Sequence, residues 1–547
     1  MIFNRMNTRL LLFFFSLLNL SILSGQPNSR FRPFDWVLYR GSGSINSISE
    51  GYSHAYIGTQ SGGVMRYNLY GNDFVEPITT AQGLEENEVT AVHFDHKTGI
   101  LWATTLKHIQ YSYSKEGDWF SIPLKQLGMF RNDKIQRIGS SERFIWLQAQ
   151  STYLKLDHSS GTLVGIFPYP DELDLDWSSG PHRSGKDHHE IFMNYSVMGG
   201  WILTGDHFID PLGRNVEITT AFVGNHGNAW AGGEDGTVFQ ASTTMESFYP
   251  LMPGPQNLDV NELYFDGEIL WIGSYNYRSS KGISWVNPHT GESDYYEFAS
   301  SVNMKPMPVY SIHVSGTELW AGGEGQMLIY DMEKDYWRTI SEERGVPQGK
   351  IWDMVGDSIF IWTASSSGLN RIERSTRRES TIGIEHLFSH NQVYDVEEIE
   401  NEIWIGSRSG LYVFSKDNPQ IKRAVDLGRK DFPELMIRIT SIKEFDGDIF
   451  VAGEMGIAKF DIADREWKLI FPSVVYHAKT IYSMAVNQKY IFLGVEDGLY
   501  RINKKTGFVK EYTFPFIGQV NGIVLDGKSL WLGSTNGLIK FKWKRDS

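Results

Sequence analysis

The stretch IWIGSRSGLYVF (Ile403–Phe414) returns near the far end of the chain as LWLGSTNGLIKF (Leu530–Phe541). Each has an apolar pair, a small residue, a Gly-bearing turn and then a second apolar run. Alternation of period two marks a half-buried strand, and a Gly between two such runs supplies the positive φ of a tight hairpin. Weaker copies run along the chain, anchored at Tyr56, Trp102, Trp146, Trp230, Trp271, Trp320, Trp362, Trp404, Val451, Phe492 and Trp531. The gap from Trp146 to Trp230 is of double length, so a degraded copy is expected around Ile191–Ile209. Twelve copies then recur about every 43 residues, and strand-rich units with a period near forty predict a propeller.

Each unit reads as four strands. In one copy these are VTAVHFD (Val89–Asp95), LWATT, HIQYSY and WFSIPL (Trp119–Leu124). A lone four-stranded sheet cannot bury both faces, whereas a ring of sheets packed on one another can. The expected fold class is therefore all-β, a β-propeller of about twelve four-stranded blades. Single rings hold four to eight blades, so two propellers of five to seven blades are expected. The halves are placed at 34–299 and 300–547, where prolines cluster in SSVNMKPMPVYS (Ser300–Ser311). FDWVLYR (Phe34–Arg40) matches a fourth strand, and LIKFKW (Leu538–Trp543) matches a third. Strand 34–40 is thus expected to complete the last blade, which would make one propeller discontinuous. The anchor aromatics read as packing between blades; a sugar-stacking platform is their functional alternative.

Bulk composition narrows the function. The 547 residues are 41% hydrophobic and 21% charged, as in a folded globular chain. Aromatics at 14% with 54 glycines suit many short strands and tight turns. A net charge of −14 argues against nucleic acid as a partner. The chain has no cysteine, which excludes disulfides, thiolate metal sites and a cysteine nucleophile. At the N-terminus, Arg5 and Arg9 precede a short apolar run, Leu10–Leu23, and the small residues Ser24 and Gly25. That is the layout of a signal peptide over residues 1–25, too short to span a bilayer. The mature chain is expected to be exported, with no transmembrane segment, to the periplasm or outer cell surface of a Gram-negative bacterium, where a cysteine-free exported protein is common.

The phrase WIGSRSGL, preceded in several copies by a loop of the GLEENEV type (Gly83–Val89), resembles the two-component regulator propeller repeat. The resemblance covers nearly all of the mature chain. It implies a propeller of the kind that forms the periplasmic sensing half of hybrid two-component sensors in Bacteroidetes, or their stand-alone exported relatives, such as the propeller component of the type IX secretion machinery. Those sensors continue into a β-sandwich, a membrane helix and a kinase, whereas this sequence stops at KWKRDS. The family implies a binding role and supplies no ligand.

Candidate binding residues stand in the turns between second and third strands, which project toward one mouth of a propeller channel. These are Glu234, Asp235, Glu324, Arg408, Glu454, Glu496 and Asp497. A partly acidic rim could hold a cation or a polar sugar, although tight turns favour such residues wherever they face. His182, His188, His189 and Glu190 cluster in GPHRSGKDHHE, at a spacing that fits no recognised metal pattern. No metal, cofactor or catalytic residue is expected, and no P-loop, nucleophile elbow or HExxH motif occurs. The favoured function is non-enzymatic binding of an envelope protein or glycan ligand. A carbohydrate-active propeller enzyme such as a polysaccharide lyase, and a secretion-machinery subunit, are the alternatives.

Overall fold

A computed structural model describes residues 31–546, apart from 130–132, 181–191, 193, 206, 225, 256–258, 275–280, 298–306, 385–386, 390, 418–419 and 431. The expected signal peptide and the His182–Glu190 cluster lie outside the described residues. The chain is all-β, and its sheets are propeller blades: mostly antiparallel, four-stranded meanders that follow the sequence repeat copy by copy except at the degraded copy. Eleven sheets form. Among the described residues the degraded copy makes no blade of its own. Its described strands, Ser196–Val197, Ile202–Thr204 and His207–Ile209, join the next copy in one seven-stranded sheet.

Two compact units divide these sheets. The first comprises Gly43–Asp210 and Asn215–Leu251 with the chain up to Val37; the second comprises Leu38–Ser42, Pro211–Arg214 and the chain from Met252. In the first unit the described residues form four sheets. Their innermost strands pack in the order Asn215–Val223, Ile45–Glu50, Val89–Phe94 and Arg137–Ser140. The division falls at Leu251/Met252, upstream of the expected 299/300. The copy anchored by Trp271 therefore belongs to the second unit, where its innermost strand, Val260–Phe265, packs between Val520–Leu525 and Ser311–Ser315.

The second unit is a closed seven-bladed ring. Each innermost strand packs on the next, and the last packs on the first. Side chains lace the ring. Asn261 Nδ2 donates to Val309 O at 3.1 Å, and Ser311 Oγ to Ile351 O at 2.9 Å. Ser483 Oγ donates to Val520 O at 3.0 Å, and Asn521 Nδ2 closes the circle onto Val260 O at 2.9 Å. Trp36–Tyr39 is the outermost strand of the last blade, beside Gly537–Phe541.

The repeated phrase has a local explanation. Ser407 Oγ donates to Gly410 O at 2.8 Å and accepts from Ser409 N at 3.2 Å, which ties the turn shut. Ser534 does the same with Gly537 O and Asn536 N. Gly410 stands at φ +129°, and a Cβ there would lie 2.5 Å from Leu435 O, so only Gly fits. The anchors lie on second strands and none is more than 5% exposed, which excludes a sugar platform at these positions. Trp362 lies 5.3 Å from Phe414 of the following blade, ring centre to ring centre.

Candidate functional site

The turn residues expected to bind ligand lie between second and third strands, as read. Asp235 is absorbed locally: its carboxylate accepts from Thr237 N at 2.9 Å and Thr237 Oγ1 at 2.8 Å. Glu234 Oε1 accepts from Glu217 N at 3.2 Å. Both belong to the first unit. In the second unit, Glu324, Arg408, Glu454, Glu496 and Asp497 are exposed. Asp497 forms an ion pair with Lys479. Arg408 N donates to Gln392 O at 2.9 Å and Glu454 N to Arg438 O at 3.1 Å. Those two turns therefore sit one hydrogen bond away from the residues that open each innermost strand. None of the seven residues lines the cavity described next.

That cavity, of ≈ 780 Å³, occupies the centre of the seven-bladed ring and is lined by its innermost strands. The strands share a register. In several, a bulge falls after the first residue, as between Val260 and Glu262, Ile351 and Asp353, Val393 and Asp395, and Ile439 and Ser441. Bulges re-aim the side chains beside them. The second position holds Tyr310, Trp352, Tyr394 and Tyr482 in four of the strands or the residues just before them, all on the cavity wall. Trp352 and Tyr394 stack at 5.2 Å and 23°, and the Arg438 guanidinium lies 4.8 Å over the Tyr394 ring. Tyr394 Oη donates to Gln392 Oε1 at 2.8 Å, which fixes the ring.

Further along the same strands stand Glu262, Asp353, Asp395, Glu397 and Lys443. Lys443 Nζ lies 3.4 Å from Glu397 Oε2. Asp353 Oδ2 accepts from Val396 N of the next blade at 2.9 Å, the lacing role that serines fill elsewhere. Asp395 is 7% exposed, and its Oδ1 has no hydrogen-bond partner. Withdrawal from bulk water pushes the Glu262 carboxyl well above its ordinary value, and the nearby Asp353 adds to the shift. Burial raises Asp353 to about 6, against the pull of Lys443 and with the push of Glu397. Burial likewise raises Asp395. Burial alone would lower Lys443, but the surrounding carboxylates outweigh it and hold the ammonium charged. His313 Nε2 donates to Gly356 O at 3.1 Å, and burial drops its pKa to about 4, so the imidazole is neutral at pH 7.

The raised Asp353 carboxyl makes stability depend on pH. Its folded value lies above the ordinary 3.8, so the folded state holds the proton more tightly than the unfolded chain. That contribution is complete below about pH 4 and is lost as pH rises through about 6. Asp353→Asn mimics the protonated form and keeps an acceptor for Val396 N. The variant should match the parent at pH 4 and exceed it at pH 8 by about 1–2 kcal/mol, a figure reduced for screening by water in the cavity. Thermal melts at the two pH values check this, and equal stability at pH 8 would refute it.

The cavity residues were absent from the sequence-based candidates. NELYF, WDMV, YDVEE and SIKEF carry no motif that sets them apart from the other strands of the repeat. The available signal was charge at equivalent positions of successive first strands, since those positions converge when the ring closes.

No protein-family model matches the chain, and no curated protein does. Among solved structures, a computationally designed protein is 15% identical, with a TM-score of 0.39, over 57% of this chain and 92% of that one. The extracellular domain of a putative one-component system from B. thetaiotaomicron is 13% identical, with a TM-score of 0.30, over 90% and 75%. A WD40 β-propeller domain is 12% identical, with a TM-score of 0.36, over 52% and 92%. Likeness at this level carries no functional argument.

Proposed function

We propose that this chain is an exported, non-enzymatic propeller of the cell envelope, of the two-component regulator type, that senses or scaffolds by binding a ligand in the centre of its seven-bladed unit. One observation carries the reading: a cavity of ≈ 780 Å³ combines an aromatic wall with charged groups. Concave sites that hold small ligands have this make-up, apolar and aromatic walls with a few placed polar groups. Among the described residues no helix is long and apolar enough to cross a membrane. Export rests on the pattern of residues 1–25.

A panel of envelope glycans, their component sugars and small peptides, titrated into the purified protein, tests the site. At least one compound should bind, and Trp352→Ala should weaken it by about tenfold or more, the loss of one stacked aromatic contact. Binding indifferent to Trp352, or no binding across the panel, defeats the assignment of this cavity.

The polysaccharide-lyase reading keeps one supporting observation, a Tyr394–Arg438 pair within reach of carboxylates raised above their ordinary values. Against it, Tyr394 Oη is engaged by Gln392 and His313 Nε2 by a backbone carbonyl. Release of unsaturated or reducing ends from a polysaccharide would establish it in place of pure binding.

A further inference from the structure

We propose that the cavity of the seven-bladed unit takes a small zwitterion of the short-peptide class, with its ammonium group among Asp395, Asp353 and Glu262 and its carboxylate at Arg438. The proposal rests on the reading of this cavity as the ligand site and adds the chemistry of the ligand.

Two independent observations point the same way. The first is an excess of carboxylate. Glu262, Asp353, Asp395 and Glu397 all act on a single ammonium, Lys443, and among the described residues Lys443 forms an ion pair with Glu397 alone. Asp395 is the sharpest case. It is 7% exposed on the cavity wall, and its Oδ1 receives no hydrogen bond. A buried carboxylate oxygen without a donor is unfavourable, and a charged N–H donor is its strongest complement. A primary ammonium brings three donors and a positive charge. Burial and repulsion from neighbouring carboxylates raise the carboxyl groups of Glu262, Asp353 and Asp395, and an arriving cation would reverse that shift.

The second observation is Arg438. Its guanidinium lies 4.8 Å over the centre of the Tyr394 ring, and among the described residues no carboxylate pairs with it. Its Nε is buried and unpartnered, on the wall of the same cavity. Arginine in that state is a ready receptor for a carboxylate.

The spacing fits a peptide. Arg438 immediately precedes an innermost strand, and Asp395 stands at the third position of the neighbouring strand. Three residues of strand span about 10 Å, and an extended tripeptide spans about the same. A side chain near the carboxyl end would then meet Trp352 and Tyr394.

Calorimetry on the full chain tests this with glycyl-glycyl-phenylalanine, its N-acetyl derivative and its C-terminal amide. The free peptide should bind, and each blocked form should bind about tenfold more weakly or worse, the loss of one charge-assisted contact. The penalty for acetylation should shrink in Asp395→Asn, and the penalty for amidation should shrink in Arg438→Gln. The end-blocking comparison uses only the unaltered protein, so a misfolded variant cannot obscure it. Equal binding of all three forms, or binding of none, overturns the proposal. If the peptides fail while a neutral glycan binds with an affinity that falls in Trp352→Ala, the cavity remains the ligand site and only the zwitterion is wrong. If nothing binds in a Trp352-dependent way, both readings fall.

Discussion

Trp404→Ala should destabilise the seven-bladed unit by about 3–5 kcal/mol, the usual cost of emptying a buried tryptophan site. Trp404 is 2% exposed and belongs to the phrase with which the repeat was recognised. Its ring lies 6.1 Å from Phe460 and 6.4 Å from Trp467, both of the following blade. The surrounding core draws on both blades: Leu411 and Val413 from its own, Ile442, Val451 and Ala458 from the next. Alanine would leave a void between two sheets that are each held by backbone ladders, so neither can collapse to fill it. Net stabilities of domains are about 5–15 kcal/mol, so one such void removes a large share. Denaturant unfolding followed by tryptophan fluorescence should show the earliest transition shifted to lower denaturant. A change below about 1 kcal/mol would mean that the tryptophan is not the inter-blade core, since even modest cavities exceed that.

The same residue shows why the fold was legible and the site was not. A propeller repeats its packing unit, so Trp404, Trp362 and Trp531 meet similar surroundings and leave a similar trace in the sequence. The Gly and Ser of each turn repeat for the same reason, as Ser407 with Gly410 and Ser534 with Gly537 show. The cavity is the part that must not repeat. Equivalent third positions carry Glu262, Ser311, Asp353, Asp395 and Ser483. In some blades that position only laces one strand to the next, as Ser311 does. In others it adds charge to a shared space, as Asp395 does. Nothing within a single strand separates these roles; they differ only once the ring sets the strands side by side. The turn residues stood out because Asp, Glu and Gly crowd tight turns. Asp235 illustrates the outcome, a carboxylate consumed by its own turn. The degraded copy before Trp230 was legible as a gap in the rhythm. Its merger into a seven-stranded sheet was not, because the edge pairing of Ser196–Val197 with Ser247–Leu251 is parallel and leaves no hairpin signal.

Deleting residues 36–40 should lower the stability of the seven-bladed unit by about 5 kcal/mol or more, from the lost burial of Trp36, Val37 and Leu38 and a row of ladder hydrogen bonds. Val37 and Leu38 are fully buried. Tyr39 stacks on the anchor Trp531 at 6.2 Å and 23°. Without this strand, Gly537–Phe541 becomes the edge of the last blade, with unpaired backbone groups facing water. The ring would then be held at that point only from its inner side, where Asn521 reaches Val260 O. A single substitution probes the same junction. Gly537 stands at φ +135°, and a Cβ there would lie 2.4 Å from Tyr39 O. Gly537→Val should therefore push the closing strand away and reproduce part of the loss, whereas Gly527→Ala, which has open space around its Cβ, should cost only the backbone strain of its positive φ, about 1 kcal/mol. A peptide of residues 31–42 added to the truncated protein should restore its melting temperature in a concentration-dependent way, since a ligand that binds only the folded state stabilises it by mass action. If truncation leaves the melt unchanged, or the peptide has no effect on it, then the ring is closed by its innermost strands alone and the outer strand is only a cover.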